Sequence, residues 1–218
     1  MDVNTEAVLY SKNADTQLYP ASITKIMTTL LACENLSLKT NIVVSDSASA
    51  SVSAGDSSIY AAPGEKFTRD QALMAVMLQS ANEMSVAVAE KVSGSVKKFT
   101  ELMNWRARLF GCKNTHFNNP HGLPDENHYT TAYDMALMAR KAMDNDIFRD
   151  IVKTKSVKYP ATEAYPYERY FENTNQFLTS RSKMDYKGQQ IDIKYDVVDG
   201  IKTGYTDAAG KCLLSTGI

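Results

Sequence analysis

The chain has 218 residues, of which 44% are hydrophobic and 22% charged, a composition typical of a globular domain. Its 24 basic and 25 acidic side chains are mixed along the sequence, so neither a nucleic-acid-binding surface nor a polybasic patch for anionic lipid is expected. The three cysteines lie far apart without a CxxC motif, and the three histidines do not have the spacing typical of metal ligands on a helix. We therefore expect no disulfide framework, no metal site and no cofactor.

The N-terminus lacks the basic start, apolar segment and cleavage site of a signal peptide. No stretch approaches 18 uninterrupted apolar residues, so no transmembrane helix is expected. Any membrane association would depend on segments absent from this chain.

In chain order, residues 6–10 are predicted to form a strand, and Pro20 introduces the first helix. Apolar side chains in this helix recur at helical spacing: Ile23, Ile26, Met27, Leu30 and Leu31. Residues 42–44 form a short β-branched run, and the Ser- and Ala-rich stretch 45–58 is predicted to be a loop.

Helices dominate the middle of the chain. Thr68 and Gln71 form a capping box ahead of a helix over about 69–79, and further helices are predicted over about 83–92, 95–110 and 131–143. From residue 151 onward the sequence favours strands and loops, most clearly over 197–201 and 212–215. This order predicts a single α+β domain with a sheet lobe (about 1–45 and 150–218), built from both chain ends, around a helical lobe (about 46–149).

The first motif of chemical interest is Ser22-Ile23-Thr24-Lys25. Residues three apart lie on the same face of a helix, so a nucleophilic hydroxyl and an amine base would be adjacent at the helix N-terminus. Lysine acts as a base only where burial or a neighbouring cation lowers its pKa. Taken alone, the pattern is more typical of a capping serine and a solvated lysine.

Two other short motifs add polar groups. Ser80-Ala81-Asn82 lies between two apolar helices, where a hydroxyl and an amide could both face a cleft. Lys202-Thr203-Gly204 follows a strand, and would offer a cation and a hydroxyl to a carboxylate while glycine permits close approach. Each motif alone is typical of an ordinary loop or turn.

Together, in this order and in these elements, the three motifs are those of penicillin-binding proteins and class A β-lactamases. The chain resembles the D-alanyl-D-alanine carboxypeptidases among the low-molecular-weight penicillin-binding proteins. The resemblance covers nearly the whole chain and is carried by the segments Tyr19–Lys25, Gln79–Asn82, Thr115–Leu123, His128–Asp134, Asn173–Asn175 and Asp199–Cys212.

This resemblance implies a transpeptidase-like fold, with a mainly antiparallel sheet, flanking helices and an all-helical lobe. It implies that Ser22 attacks the bond between the terminal D-alanines of a peptidoglycan pentapeptide, with Lys25 as general base. Ser80 and Asn82 would assist. It further implies acylation by β-lactams and a location on the cell-wall side of the bacterial cytoplasmic membrane.

The resemblance also implies the remaining binding groups. Lys202 and Thr203 would hold the substrate carboxylate beside Gly204. The backbone N–H groups of Ser22 and Tyr205 would form the oxyanion hole. The segment His116–His128 is expected to be a structural loop.

The chain departs from the family pattern in three places. Glu83 replaces the usual aspartate after Asn82, and a strand and helix expected after the Lys-Thr-Gly strand, together with an N-terminal helix, are missing. A catalytically silent or impaired module is therefore one alternative. A class A β-lactamase is another, although no Glu-x-x-x-Asn motif lies between Asn82 and Lys202.

Overall fold

The computed structural model describes residues 1–217. A 3-10 turn, Ala21–Thr24, leads into the first helix. The helices are α1 (Lys25–Asn35), α2 (Asp46–Ala50), α3 (Arg69–Leu78), α4 (Asn82–Ser93), α5 (Val96–Leu109), α6 (Ala132–Met143), α7 (Asp146–Val152) and α8 (Gln176–Thr179). The strands are β1 (Asn41–Val43), β2 (Lys66–Thr68), β3 (Ser156–Tyr159), β4 (Arg169–Glu172), β5 (Lys183–Tyr186), β6 (Gln189–Asp192), β7 (Val198–Thr206) and β8 (Gly210–Gly217).

The strands pair antiparallel, each with its neighbour in sequence: β1 with β2, β3 with β4, β5 with β6, and β7 with β8. The longest pairing is β7 with β8, in which Lys202 lies opposite Leu214 and Tyr205 opposite Lys211. Helices together with short antiparallel strands confirm the predicted α+β class.

Helix α1 is the centre of the apolar core. Every residue from Lys25 to Cys33 is buried, and the helix packs against α3, α4, α5, α6 and α7. A helix buried on all sides must satisfy its polar groups internally, and Thr28 does so by donating from Oγ1 to the carbonyl of Pro120 at 2.7 Å. The Ser22–Lys25 motif therefore begins the most enclosed helix of the fold.

Side-chain caps set the helix starts that the sequence indicated. The capping box of α3 is formed: Thr68 Oγ1 accepts from the N–H of Gln71, and Gln71 Oε1 accepts from the N–H of Thr68. Thr131 caps α6 through a single bond, in which its Oγ1 accepts from the N–H of Asp134. The three longest helices of the middle region lie within a few residues of their predicted bounds.

Several predicted elements are wrong. Residues 6–10 form no strand, and Leu9 and Tyr10 are 75% and 80% exposed because no strand within residues 1–217 pairs with them. The first strand of the described residues is β1, which begins at Asn41, and the sheet lobe predicted from both chain ends stays a prediction. The predicted 45–58 loop contains α2, which Ser45 caps.

Helices α7 and α8 were not predicted. Both are short and are held by asparagine caps, Asn145 and Asn175, whose side chains accept from backbone N–H groups. No helix among residues 1–217 combines the length and apolarity needed to cross a membrane.

Candidate active site

The first predicted pair, Ser22 and Lys25, lies where the 3-10 turn joins α1. Ser22 is partly exposed, whereas Lys25 is completely buried. Ala21, just before the serine, has a φ of +48°, a left-handed conformation that costs an alanine about 1–3 kcal/mol. Such strain persists only where surrounding contacts hold it, so the turn that presents Ser22 is held in place by its neighbours.

The ammonium group of Lys25 has three oxygen partners. Lys25 Nζ lies 3.0 Å from Ser22 Oγ, 2.8 Å from Asn82 Oδ1 and 2.7 Å from the carbonyl oxygen of His121. The amide and carbonyl oxygens can only accept, whereas a hydroxyl can also donate. When Lys25 is neutral and has a free lone pair, Ser22 is therefore the partner whose proton can point at it.

Burial favours this neutral form. The pKa of Lys25 lies well below its ordinary value, first because the ammonium is removed from water and second because of the positive charge of Lys202. The negative charges of Glu83 and Asp56 act in the opposite direction and raise the pKa. The net result is an amine prepared to accept a proton from Ser22 Oγ.

The second motif lies in the turn between α3 and α4. Asn82 is the first residue of α4, which places its side chain against Lys25. Ser80 is buried with a φ of +59°, and its Oγ has no hydrogen-bond partner within residues 1–217. A buried hydroxyl without a partner is costly to a protein and is typical of a site that receives a ligand or water.

The third motif belongs to β7. Lys202 is 1% exposed, its Nζ has no hydrogen-bond partner in the described part of the chain, and burial lowers its pKa to about 7. Thr203 Oγ1 lies 2.5 Å from Thr174 Oγ1. Tyr205 is 62% exposed and donates from its hydroxyl to Asp207.

Two glycines allow backbone segments to approach the Ser22 turn. A Cβ on Gly204 would lie 2.9 Å from the backbone nitrogen of Ser22, so β7 can pass this close only with glycine there. A Cβ on Gly122 would lie 1.9 Å from the carbonyl oxygen of Ala21. The Lys-Thr-Gly strand and the 119–123 loop therefore both press against the turn that presents Ser22.

Sequence reasoning missed part of the site. His121 was assigned to a structural loop, but its carbonyl contacts Lys25 and it lines the cavity in front of Ser22. The sequence feature that could have indicated this turn is Asn119. Its Oδ1 accepts from the N–H groups of His121 and Gly122 and so shapes the turn. His128 fits the structural expectation: it is fully buried between Thr24 Oγ1 and the N–H of Asn118.

A cavity of about 480 Å³ opens in front of Ser22. Its lining comes from five separate parts of the chain: Ser22, Ala54–Ser57, Asn82, His121–Pro124 and Tyr205–Ala208. No cluster of metal-ligating side chains occurs among residues 1–217. The site thus brings together a hydroxyl, a buried amine and an open cavity beside them.

Comparison with known families decides the classification. The family model described as D-alanyl-D-alanine carboxypeptidase matches residues 1–218. The chain belongs to this family. The expectation drawn from the sequence motifs is therefore confirmed.

Individual relatives agree with the family assignment. The chain is 41% identical to the D-alanyl-D-alanine carboxypeptidase DacF of Bacillus subtilis (strain 168), over 98% of this chain and 51% of that protein. It is 33% identical to DacA of Escherichia coli (strain K12), over 99% of this chain and 51% of that protein. The chain therefore spans about half the length of these relatives.

Solved structures confirm the fold. The crystal structure of the Streptomyces K15 DD-transpeptidase matches with a TM-score of 0.87 and 31% identity, over 100% of this chain and 82% of that one. The carboxypeptidase DacD from Francisella tularensis matches with a TM-score of 0.81 and 31% identity, over 100% and 61%. The transpeptidase-like α+β fold that the motifs implied is thus confirmed.

Proposed function

We propose that this family member is a serine D-alanyl-D-alanine carboxypeptidase that acts on peptidoglycan pentapeptides through an acyl-enzyme on Ser22. The observation that carries the proposal is the buried Lys25, whose Nζ contacts Ser22 Oγ and two oxygens that can only accept. This geometry converts an unreactive hydroxyl into a nucleophile without a metal or cofactor.

In the acylation step, neutral Lys25 takes the proton of Ser22 Oγ while the oxygen attacks the carbonyl carbon of the penultimate D-alanine. The backbone N–H groups of Ser22 and Tyr205 hold the resulting oxyanion. The carbon–nitrogen bond then breaks, and the proton passes to the departing amine of the terminal D-alanine. The peptide remains attached to Ser22 as an ester.

The terminal carboxylate of the substrate is assigned to Lys202 and Thr203. Lys202 is buried without an acceptor in the described chain, so an arriving carboxylate would supply the missing partner. The close passage of Gly204 beside Ser22 supports this assignment, because the strand that carries Lys202 and Thr203 then runs next to Ser22.

Release of the peptide requires water to attack the ester. Asn82 would hold the acyl group, and the unpartnered hydroxyl of Ser80 would pass protons between water and Lys25. β-Lactams would follow the same path to the ester, but their leaving amine stays tethered within the opened ring. On this proposal the domain works on the cell-wall side of the cytoplasmic membrane, where its substrate lies.

The test is release of D-alanine from diacetyl-L-Lys-D-Ala-D-Ala, measured with a coupled D-amino-acid oxidase assay. The wild-type chain is expected to release D-alanine, benzylpenicillin to inhibit it, and Ser22→Ala to reduce release to background. Circular dichroism of Ser22→Ala checks that the variant is folded. Undiminished release by folded Ser22→Ala would disprove the assignment of the nucleophile.

A further inference from the structure

Glu83 is a buried carboxylate next to the catalytic constellation that the proposed mechanism does not use. It is 1% exposed and directly follows Asn82 in the first turn of α4. Its Oε1 accepts from Ser58 Oγ at 2.7 Å, from the N–H of Ile59 at 2.8 Å and from the N–H of Ala61 at 3.4 Å. One oxygen thus collects three donors from a single short segment.

That segment has no regular secondary structure to hold it. Residues 51–65 form neither helix nor strand, so their buried backbone N–H groups need acceptors from elsewhere. Hydrogen bonds to an ionised acceptor are the stronger kind. A further bond, from the N–H of Asn82 to the carbonyl of Ser57 at 2.9 Å, fixes the same segment to the same helix turn.

The segment matters because its other end forms part of the active-site cavity. Ala54–Ser57 line the space in front of Ser22, and Asp56 acts electrostatically on Lys25. Glu83 and Asn82 are neighbours on α4, so the group that contacts Lys25 and the group that holds the wall move together. The position of the wall relative to Ser22 therefore depends on the reach of the Glu83 side chain.

We propose that Glu83 is a positioning residue that fixes residues 54–58 as the wall against which the acyl arm of the ligand lies. The inference rests on the proposed function. Lys202 and Thr203, assigned to the carboxylate end, do not line this cavity, whereas Tyr205–Ala208 and the 54–57 wall do. The opposite end of the ligand, the acyl arm, is thus the part that meets the wall.

The test compares two penicillins that share the bicyclic ring and carboxylate but differ in the acyl arm. Benzylpenicillin carries a phenylacetyl group, and 6-formamidopenicillanic acid carries only a formyl group. Glu83→Ala is expected to lower the ratio of their second-order acylation rates, long arm over short arm, by about fivefold or more. A merely structural role would reduce the active fraction and lower both rates alike, leaving the ratio unchanged.

Two further variants control the experiment. Glu83→Gln keeps an acceptor oxygen at the same reach and is expected to retain the wild-type ratio. Glu90→Ala removes another α4 carboxylate, which accepts from the hydroxyls of Ser45 and Ser47 at the start of α2 but does not line the cavity, and it should also leave the ratio unchanged.

If Glu83→Ala does not fold, Glu83→Asp takes its place, since it keeps the charge but withdraws the carboxylate by one methylene. A fall in its ratio supports the inference. An unchanged ratio in the folded alanine or aspartate variant overturns it. Failure of the wild-type chain to be acylated at Ser22 by either penicillin would instead disprove the proposed function, so the two failures are distinguishable.

Discussion

At the scale of single residues, the mechanism depends on the charge of Lys25. Because burial and Lys202 lower its pKa, the neutral base persists at pH values where an ordinary lysine is fully protonated. As pH falls through the lowered pKa, Lys25 gains a proton and cannot accept that of Ser22. Acylation by benzylpenicillin is therefore expected to decline on the acidic side.

The pH at which acylation declines on the acidic side should depend on the charge of Glu83. Because its negative charge raises the pKa of Lys25, Glu83→Gln removes that effect and should move the decline to lower pH, while acylation on the plateau is retained. The measurement is the second-order acylation rate of both proteins across pH. A decline that moves to higher pH, or a wild-type rate independent of pH, would contradict the role of Lys25.

Lys202 links activity to stability. Its pKa is about 7 in the fold against an ordinary value of 10.5, so between these pH values the unfolded chain binds one more proton than the folded chain. The contribution of Lys202 to the free energy of unfolding therefore becomes more favourable as pH rises across that window. At pH 7 and below, its buried ammonium costs stability.

Lys202→Met should consequently raise the melting temperature most near pH 7 and progressively less towards pH 10.5, while acylation falls sharply because the anion site is lost. Lys211→Met on the neighbouring strand is the control, because Lys211 is exposed and should show neither effect. The measurement is thermal unfolding at several pH values. A lower melting temperature for Lys202→Met at pH 7 would show that this lysine stabilises the fold.

At the scale of elements, the 119–123 loop holds the Ser22 turn in place. Gly122→Ala would put a Cβ 1.9 Å from the carbonyl oxygen of Ala21, so either the loop or the turn must shift. We expect strongly reduced penicillin acylation and a lower melting temperature.

Gly111→Ala is the matched control for this change. Gly111 also has a positive φ, of +85°, but nothing lies within 4 Å of the position that an alanine Cβ would occupy there. Only about 1–2 kcal/mol of backbone strain is therefore expected, and acylation should be retained. Equal acylation by Gly122→Ala and Gly111→Ala would show that the loop does not hold the turn.

Elements with strong local signals could be predicted from the sequence. The capping box at Thr68 and the apolar stripe of α1 depend on neighbours in sequence, and both are present in the structure. The prediction of a strand at residues 6–10 was wrong, because a strand needs a pairing partner and the local sequence pattern does not reveal whether one exists. The lobe boundaries near residues 45 and 150 stay a prediction.

The candidate site could be predicted where side chains carry the chemistry. Ser22, Lys25 and Asn82 were found through their motifs, and the structure brings them within hydrogen-bond distance. The backbone carbonyl of His121 could not be found in this way, because any residue has a carbonyl and only the fold determines which one reaches Lys25. The loop-binding role we propose for Glu83 depends on the same kind of long-range contact.

At the scale of the whole molecule, the lining of the cavity argues against the class A β-lactamase alternative. Within the described residues no glutamate lines the cavity; its carboxylates are Asp56 and Asp207, and each already accepts a hydrogen bond. A class A β-lactamase uses a glutamate to activate the deacylating water. We therefore expect the penicilloyl adduct to persist long after free penicillin is removed. Rapid loss of the adduct with turnover of penicillin would favour the β-lactamase alternative.

The central claim is that Ser22, activated by Lys25, is an acylating nucleophile. Intact-protein mass spectrometry after incubation with benzylpenicillin, followed by peptide mapping, tests it most directly. The account predicts a gain of one penicillin per chain, located on Ser22 and absent from Ser22→Ala. A folded chain without an adduct, or an adduct on another residue, would contradict the account and favour a catalytically silent module.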